Sequence, residues 1–361
     1  MSGGLDGFWA VVPAGGAGTR LWPLSRAGRP KFLLDLTGSG RSLIQATVDR
    51  VRSLADERVL VVTGAAHEEA VRAQLPTLGA GDVLAEPSPR DSMAAIAWAA
   101  AVIETRDAEA VIGSFAADHV IPDQAAFEAA VAEAVQVARR GEVVTIGIEP
   151  THPATGFGYI QMGGPLAGAA TARRVRQFVE KPDASRAAAY LATGEFRWNA
   201  GMFVVRASVL LDLLGRWHPA LASGARELAA DPSRLPQVWP TLEKIAIDHA
   251  IAEPAADEGK VAVVPGDFTW DDIGDFTSLG ELIDPEPAQQ PVVLGERDLV
   301  TAVDGSGLVI PRAGRTIALV GVDDIVVVDT PDALLVTTRS RAQEVKAIVD
   351  ALKQSGRTDL V

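Results

Sequence analysis

The first half of the chain alternates short runs of β-branched residues with longer amphipathic segments that are rich in alanine. The runs predict strands at residues 9–12, 59–63, 111–114 and 143–148, and the segments between them predict helices at 42–53, 68–74, 92–103 and 124–139. Strands that alternate with helices of this length are typical of βαβ units, which build parallel sheets. We therefore expect an α/β fold with a doubly wound, mostly parallel sheet.

The same alternation continues, with longer insertions, as far as residue 282. It predicts strands near 159–162, 175–179, 202–205 and 261–264, and helices near 184–191, 208–214 and 241–251. We expect this stretch to extend the sheet and to form the wall of a substrate site.

The composition changes at residues 284–291, where three of eight residues are proline. Such a segment favours a stiff, extended connector, so we expect a large domain at 1–283, a linker at 284–291 and a small module at 292–361. Within the module, short strands are predicted at 308–310, 317–320, 325–328 and 334–336, and a helix at 342–352. This β-rich module either covers an edge of the main sheet or pairs two copies of the chain in a homodimer.

Composition and charge exclude several classes of function. Of the 361 residues, 48% are hydrophobic and 22% are charged, which is the balance of an ordinary globular chain. The net charge of −14 argues against broad binding to nucleic acids or anionic membranes, and the absence of cysteine excludes disulfides and thiolate chemistry. The N-terminus lacks the basic region of a signal peptide, and the longest wholly apolar run, residues 93–103, is too short to span a bilayer. A cytoplasmic protein is therefore expected.

A glycine-rich loop follows the first predicted strand and reads AGGAGTRLWPLSR at residues 14–26. Because Gly15, Gly16 and Gly18 have no Cβ, the backbone can adopt positive φ angles and turn its N–H groups around phosphate oxygens. The loop lacks the third glycine of the dinucleotide-binding fingerprint, and no Gly-Lys-Ser/Thr follows it to make a P-loop. Since Arg20 and Lys31 add positive charge on either side, the sequence predicts a phosphate-binding loop of another type.

The loop and five further blocks, in the same order, resemble the signature of the sugar-1-phosphate nucleotidylyltransferases. The blocks read ADH at 117–119, PATGFGYI at 153–160, FVEKPD at 178–183, WNAGMF at 198–203 and WDDIG at 270–274. The ending RLWPLSR of the loop and the tail at 321–352 are similar to those of mannose-1-phosphate guanylyltransferases. The resemblance implies a Rossmann-like nucleotidyltransferase fold. It also implies transfer of a guanylyl group from GTP to α-D-mannose 1-phosphate, which yields GDP-mannose and pyrophosphate.

The resemblance also implies a role for particular residues. Asp118 and Asp272 would hold Mg²⁺, which prefers hard oxygen ligands, and Arg20 and Lys31 would stabilise the triphosphate and the leaving pyrophosphate. The residues expected to bind the nucleotide are Ala14, Gly15, Gly16, Gly18, Thr19, Arg90 and Asp91. The residues expected to bind the sugar phosphate are Gly156, Gly158, Glu180, Lys181 and Asn199.

Several of these residues have a purely structural alternative. Asp118 could cap a helix, Asp272 could form a turn, and Glu180 with Lys181 could be a solvated ion pair. Asp91 stands where the family usually has an amide. It either caps the helix that begins at residue 92 or accepts hydrogen bonds from N1–H and the N2 amine of guanine.

Two other functions stay open. One is the same chemistry on another sugar 1-phosphate or nucleotide, and the other, from a different class, is a catalytically silent subunit that senses nucleotide sugars. Loss of metal or phosphate ligands would favour the silent subunit, but the residues needed for chemistry are all present: Arg20, Lys31, Asp118, Lys181 and Asp272. We therefore expect an Mg²⁺-dependent guanylyltransferase.

Overall fold

A nine-stranded sheet organises the larger of two units in the computed structural model, which describes residues 3–284 and 290–361. The strands are β1 (Phe8–Ala14), β2 (Val59–Gly64), β3 (Val83–Glu86), β4 (Val111–Ser114), β5 (Val143–Ile148), β6 (Gly158–Pro165), β7 (Arg173–Val179), β8 (Phe196–Arg206) and β9 (Val261–Gly266). Their order in the sheet is β3-β2-β1-β4-β8-β5-β9-β7-β6. The first four strands run parallel, as the βαβ pattern predicts.

The second half of this sheet is mixed. Strand β8 lies antiparallel to both β4 and β5, and β7 lies antiparallel to β6 and β9, while β5 and β9 are parallel. The helices are α1 (Leu43–Ala55), α2 (Glu68–Gln74), α3 (Asp91–Arg106), α4 (Gln124–Ala138), α5 (Ala184–Thr193), α6 (Ala207–Trp217), α7 (Pro219–Ala230), α8 (Leu235–Val238) and α9 (Glu253–Asp257). The α/β class is confirmed, and the sheet is more antiparallel than the pattern indicates.

The predicted helix at 241–251 is wrong over its first half. A π-helical turn begins only at Asp248, because the backbone before it bonds to the start of α3 instead of to itself. Ile245 O accepts from Met93 N at 3.1 Å, and Ile247 N donates to Ser92 Oγ at 2.9 Å. A backbone whose polar groups are satisfied by a neighbouring helix has no need to form its own helical turns.

A four-stranded sheet organises the second unit, which comprises Gly16–Ala46, Asp118–Val120 and Asp271–Val361. Its elements are α10 (Phe276–Ile283), β10 (Val292–Val293), β11 (Val300–Pro311), β12 (Ile317–Asp329), β13 (Leu334–Thr338) and α11 (Val345–Gln354). Strands β10, β11 and β12 run parallel, and β13 closes the sheet antiparallel to β12. The predicted β-rich module that ends in a helix is thus present, with the two predicted strands at 317–320 and 325–328 joined into β12.

The core of this second unit includes the glycine-rich segment as well as the C-terminal strands. Leu21 and Trp22 belong to the same buried cluster as Leu308, Val326 and Val345. By its contacts, therefore, the segment after Gly15 groups with the C-terminal module, whereas the domain limits at 283 and 292 stay a prediction. Most of the predicted linker at 284–291 lies outside the described residues.

None of the helices in the two described ranges is long and apolar enough to cross a lipid bilayer.

Candidate active site

The glycine-rich loop begins where β1 ends at Ala14 and passes into a short 3-10 helix, Thr19–Leu21. Gly16 and Gly18 have φ angles of 83° and 61°, which disfavour any residue with a side chain. At Gly18 a Cβ would also lie 3.0 Å from both Cβ and Cγ of Lys31. The glycine therefore lets the lysine stem pass against the loop, and the space around Gly15 is open.

Lys31 joins the two acidic segments of the second unit. Its Nζ lies 2.9 Å from Asp118 Oδ2 and donates to the backbone oxygen of Asp272 at 2.6 Å. The two segments also form an antiparallel bridge, in which Val120 N donates to Asp271 O at 2.9 Å and Asp271 N donates back at 3.1 Å. Asp118 and Asp272, which are far apart in the sequence, are thus brought together around one ammonium group.

The turn at 271–274 distinguishes its two aspartates. Asp271 Oδ1 accepts from Ile273 N, and burial raises the pKa of Asp271 to about 6. Asp271 is therefore the residue that forms the turn, while the carboxylate of Asp272 accepts no hydrogen bond within the described ranges. The helix-capping alternative for Asp118 also lacks support, because Asp123 caps α4 by accepting from Ala126 N at 3.0 Å.

The donor set at this place fits a hard divalent cation that stays partly hydrated. Asp118 and Asp272 supply carboxylates, and no group of three or more metal-ligating side chains occurs in residues 3–284 and 290–361. Mg²⁺ commonly takes one or two protein carboxylates and completes its shell with water and substrate phosphates. Two acidic side chains beside a loop suited to phosphate meet that requirement.

Arg20 lies beside the same turn. Both of its terminal nitrogens are 3.7 Å from the position a Cβ would take on Gly274, and Asp272 Oδ1 is 3.4 Å from that position. Arg20 Nη1 donates to Gln343 Oε1 at 2.8 Å. Trp22 and Arg26, later in the segment, donate to the backbone oxygen of Leu360.

A second group of predicted residues lies in the larger unit, just after the end of β7 and near the start of β8. Lys181 Nζ donates to Glu180 Oε1, so the pair is joined, with Lys181 exposed and Glu180 largely buried. A Cβ on Gly158 would lie 2.6 Å from Glu180 Oε2 and 3.3 Å from Asn199 Cβ. Gly158 therefore makes room for the glutamate itself, whereas the space at Gly156 is open.

Asn199 is buried in a hydrogen-bond network. Its Oδ1 accepts from Thr145 Oγ1 at 3.1 Å and from Gly201 N at 3.2 Å, and its Nδ2 donates to Asp248 Oδ1 at 2.7 Å. The amide oxygen is fully used by the protein, so only an N–H remains for a ligand. The side chain is thereby fixed in one orientation.

Asp248 was not predicted from the sequence and belongs to this second group. It opens the π-helical turn Asp248–Ala252, and its pKa is raised to about 6 by burial and by the charge of Glu180, against the effect of Lys181. π-Helical turns often occur at functional sites. A carboxylate at the start of an apolar helical run was the available signal, but the predicted helix began too early to show it.

The residues predicted near the base differ in their surroundings. Arg90 donates to Leu242 O at 2.9 Å and to Pro240 O at 2.6 Å, so its terminal nitrogens support the neighbouring loop. Asp91 is exposed with a φ of 56°, and the start of α3 shows no side-chain cap. The structure therefore gives no support to helix capping by Asp91.

Glu86, at the end of β3, is a further residue that sequence reasoning missed. In the part of the chain that the structure describes, its Oε2 is buried and has no hydrogen-bond partner, and burial raises the pKa of Glu86 to about 7. Ligands of open α/β sheets bind outside the carboxyl ends of the strands, and Glu86 stands at such an end. An acidic residue that closes a strand was the signal in the sequence, but strand β3 itself was not predicted.

Comparison with protein families gives two matches, which together cover most of the chain. Residues 9–289 match the family described as nucleotidyl transferase, and residues 298–352 match a mannose-phosphate isomerase/GMP-like β-helix domain. The second match covers all of β11, β12 and β13, and most of α11.

Individual relatives cover nearly the whole chain. The xanthan biosynthesis protein XanB of Xanthomonas campestris pv. campestris (strain ATCC 33913) is 39% identical over 97% of this chain and 74% of its own length. A mannose-1-phosphate guanylyltransferase of Escherichia coli K12 is 37% identical with the same coverage. A crystal structure described as a mannose-1-phosphate geranyltransferase from Thermus thermophilus has a TM-score of 0.86 and 34% identity, covering 96% of this chain and 99% of that one.

Proposed function

This chain belongs to the nucleotidyl transferase family, and we propose that it transfers a guanylyl group from GTP to α-D-mannose 1-phosphate, producing GDP-mannose and pyrophosphate. The observation that carries the proposal is the convergence of Asp118, Asp272 and Lys31 beside the glycine-rich loop. Such a group of opposite charges can neutralise a triphosphate and hold a cation against it. The named relatives supply the identity of the sugar and of the base.

The reaction is a direct displacement without a covalent enzyme intermediate. An oxygen of the sugar phosphate forms a bond to the α-phosphorus of GTP, the bond from that phosphorus to the bridging oxygen breaks, and the electron pair leaves with pyrophosphate. No proton transfer from the protein is required. The protein contributes by positioning the two anions and by compensating charge that moves to the leaving group.

We assign the phosphates to the residues around the loop. The backbone at Gly15, Gly16 and Gly18 would donate to phosphate oxygens, and Arg20 and Lys31 would face the charge that grows on the pyrophosphate. Enzymes of this family generally use a divalent metal ion. We propose that it is Mg²⁺, held by Asp118 and Asp272, where it would lower the repulsion between the two substrates.

We assign the sugar phosphate to the group around Glu180. The Glu180 carboxylate would accept hydrogen bonds from sugar hydroxyls, and the exposed ammonium of Lys181 would pair with the phosphate. The remaining N–H of Asn199 would donate to a further hydroxyl. Because its amide is held by Thr145 and Asp248, this donor would be oriented before the sugar binds.

The test is pyrophosphate release from a grid of four nucleoside triphosphates and three sugar 1-phosphates, those of mannose, glucose and N-acetylglucosamine, with and without Mg²⁺. We expect release with GTP and mannose 1-phosphate, and its loss in Lys31→Met. Lys353→Met is the matched control, because that lysine is exposed at the end of α11. Activity with a different pair would favour the same chemistry on other substrates, and inactivity in every well would favour the silent sensing subunit.

A further inference from the structure

Gln343 connects the predicted catalytic arginine to a buried carboxylate. It lies in the 3-10 segment Arg339–Glu344, between β13 and α11. Its Oε1 accepts from Arg20 Nη1 at 2.8 Å, and its Nε2 donates to Asp275 Oδ2. Within residues 3–284 and 290–361, no carboxylate forms an ion pair with Arg20.

The far end of this connection is rigid. Asp275 is 6% exposed and caps α10, where its Oδ1 accepts from Thr277 N at 2.6 Å and from Ser278 N at 3.2 Å. Thr277 Oγ1 also donates to Arg339 O at 2.8 Å, which fixes the segment that carries Gln343 against α10. The amide therefore has a fixed place from which to hold the guanidinium.

An amide suits this position for an electrostatic reason. It accepts from the arginine and donates to the aspartate at the same time, and it adds no charge of its own. A carboxylate in direct contact with Arg20 would fix the side chain equally well, but it would compensate the positive charge that a triphosphate requires. We propose that Gln343 is a positioning residue for guanylyl transfer, because it holds the Arg20 guanidinium against the anchored Asp275 while leaving its charge for the phosphates.

The inference rests on the proposed function and on the assignment of Arg20 to the leaving pyrophosphate. Charge on that group grows in the transition state, so a misplaced arginine should lower kcat more than it raises KM for GTP. Gln343→Met keeps the size of the side chain and removes both hydrogen bonds. We expect kcat to fall by about tenfold, since small errors in the position of a catalytic group carry losses of that order or larger.

The experiment is a double-mutant cycle that measures kcat for pyrophosphate release with Gln343→Met, Arg20→Ala and the combined variant. If Gln343 acts through Arg20, its substitution costs about tenfold alone and almost nothing when Arg20 is already alanine. An equal loss in both backgrounds would mean a general structural role and would overturn the inference. Gln354→Met, a substitution of an exposed glutamine at the end of α11, is the matched control and should keep wild-type kcat.

Gln343→Glu provides a second arm that does not depend on the folding of the methionine variant. It keeps the contact to Arg20 but compensates its charge and repels Asp275, so kcat should again fall by about tenfold. Wild-type kcat in Gln343→Glu would overturn the proposed need for a neutral group. Absence of pyrophosphate release by the wild-type chain would overturn the proposed function and this inference together. If the wild-type chain is active but the losses in kcat from Gln343→Met and Arg20→Ala simply add, this inference alone is overturned.

Discussion

The buried carboxylate of Glu86 leads to a prediction about recognition of the base. Its Oε2 has no hydrogen-bond partner among the described residues, and burial raises the pKa of Glu86 to about 7. A buried acceptor without a donor is unfavourable until a ligand supplies one. Guanine offers two neighbouring donors, N1–H and the N2 amine, which adenine lacks. We therefore expect Glu86→Gln to weaken binding of GTP selectively.

The expected rise of KM for GTP follows from the charge of the Glu86 carboxylate, and its pH dependence follows from the pKa of Glu86. Hydrogen bonds to a charged group contribute about 1.5–3 kcal/mol, so KM for GTP should rise about 10- to 100-fold, with kcat nearly unchanged. If guanine binds the ionised carboxylate, the free chain loses its binding-competent form as the pH falls through the pKa of Glu86. Between pH 8 and pH 6 the ionised fraction falls about tenfold, so KM for GTP should rise by about that factor in the wild type and stay level in Glu86→Gln.

The assay is initial-rate kinetics with GTP, ITP and ATP at fixed, saturating mannose 1-phosphate over this pH range. ITP keeps N1–H but lacks the N2 amine, so it should fall between the other two in the wild type. Glu57→Gln is the matched control, since that carboxylate is exposed. Asp91→Asn tests the competing carboxylate. An unchanged preference among the three nucleotides in Glu86→Gln, or the expected change in Asp91→Asn instead, would refute the reasoning.

Three further predictions concern the metal, the loop and the sugar. Asp118→Asn should lower kcat/KM by about 100-fold or more, because it would remove a proposed metal ligand, and a chelator should abolish pyrophosphate release until Mg²⁺ is restored. Retained activity without any divalent ion would contradict this. Gly18→Ala should lower the free energy of unfolding by about 1–3 kcal/mol through its positive φ and its approach to Lys31, as urea denaturation would measure, while Gly28→Ala, in open space, should not. Asp248→Asn should raise KM for mannose 1-phosphate about tenfold and leave KM for GTP unchanged, and equal changes in both would show that Asp248 has no special relation to the sugar.

The main strands were predictable because their apolar runs are long and lie between clear turn residues. Strand β5 agrees with its predicted limits, and β4 does as well. Strand β3 was missed because only Val83, Leu84 and Ala85 mark it, and the antiparallel position of β8 was missed because a buried run does not reveal its direction. Pairing partners are set by tertiary packing, which local periodicity cannot encode.

Some residues of the candidate site could be predicted from the sequence, and others could not. Lys31 and Asp118 could be named as candidates because they lie in or beside sequence blocks that resemble those of a known family. Gln343, Asp248 and Glu86 could not, because an isolated polar residue acquires its meaning only from the groups that folding brings to it. The partners of Gln343 and Asp248 are distant in the chain, and Glu86 Oε2 has none among the residues that the structure describes.

The shared core of Leu21 and Trp22 with the C-terminal strands has a consequence for how such chains can be recombined. A hybrid that joins the first 283 residues of this chain to the tail of a distant relative would inherit a loop whose apolar side chains meet unfamiliar neighbours. The stability of the hybrid would then depend on how well the side chains of Leu21 and Trp22 pack against C-terminal strands whose codons lie almost three hundred positions away in the gene. Selection should therefore make substitutions at Leu21 or Trp22 covary with substitutions at Leu308, Val326 and Val345.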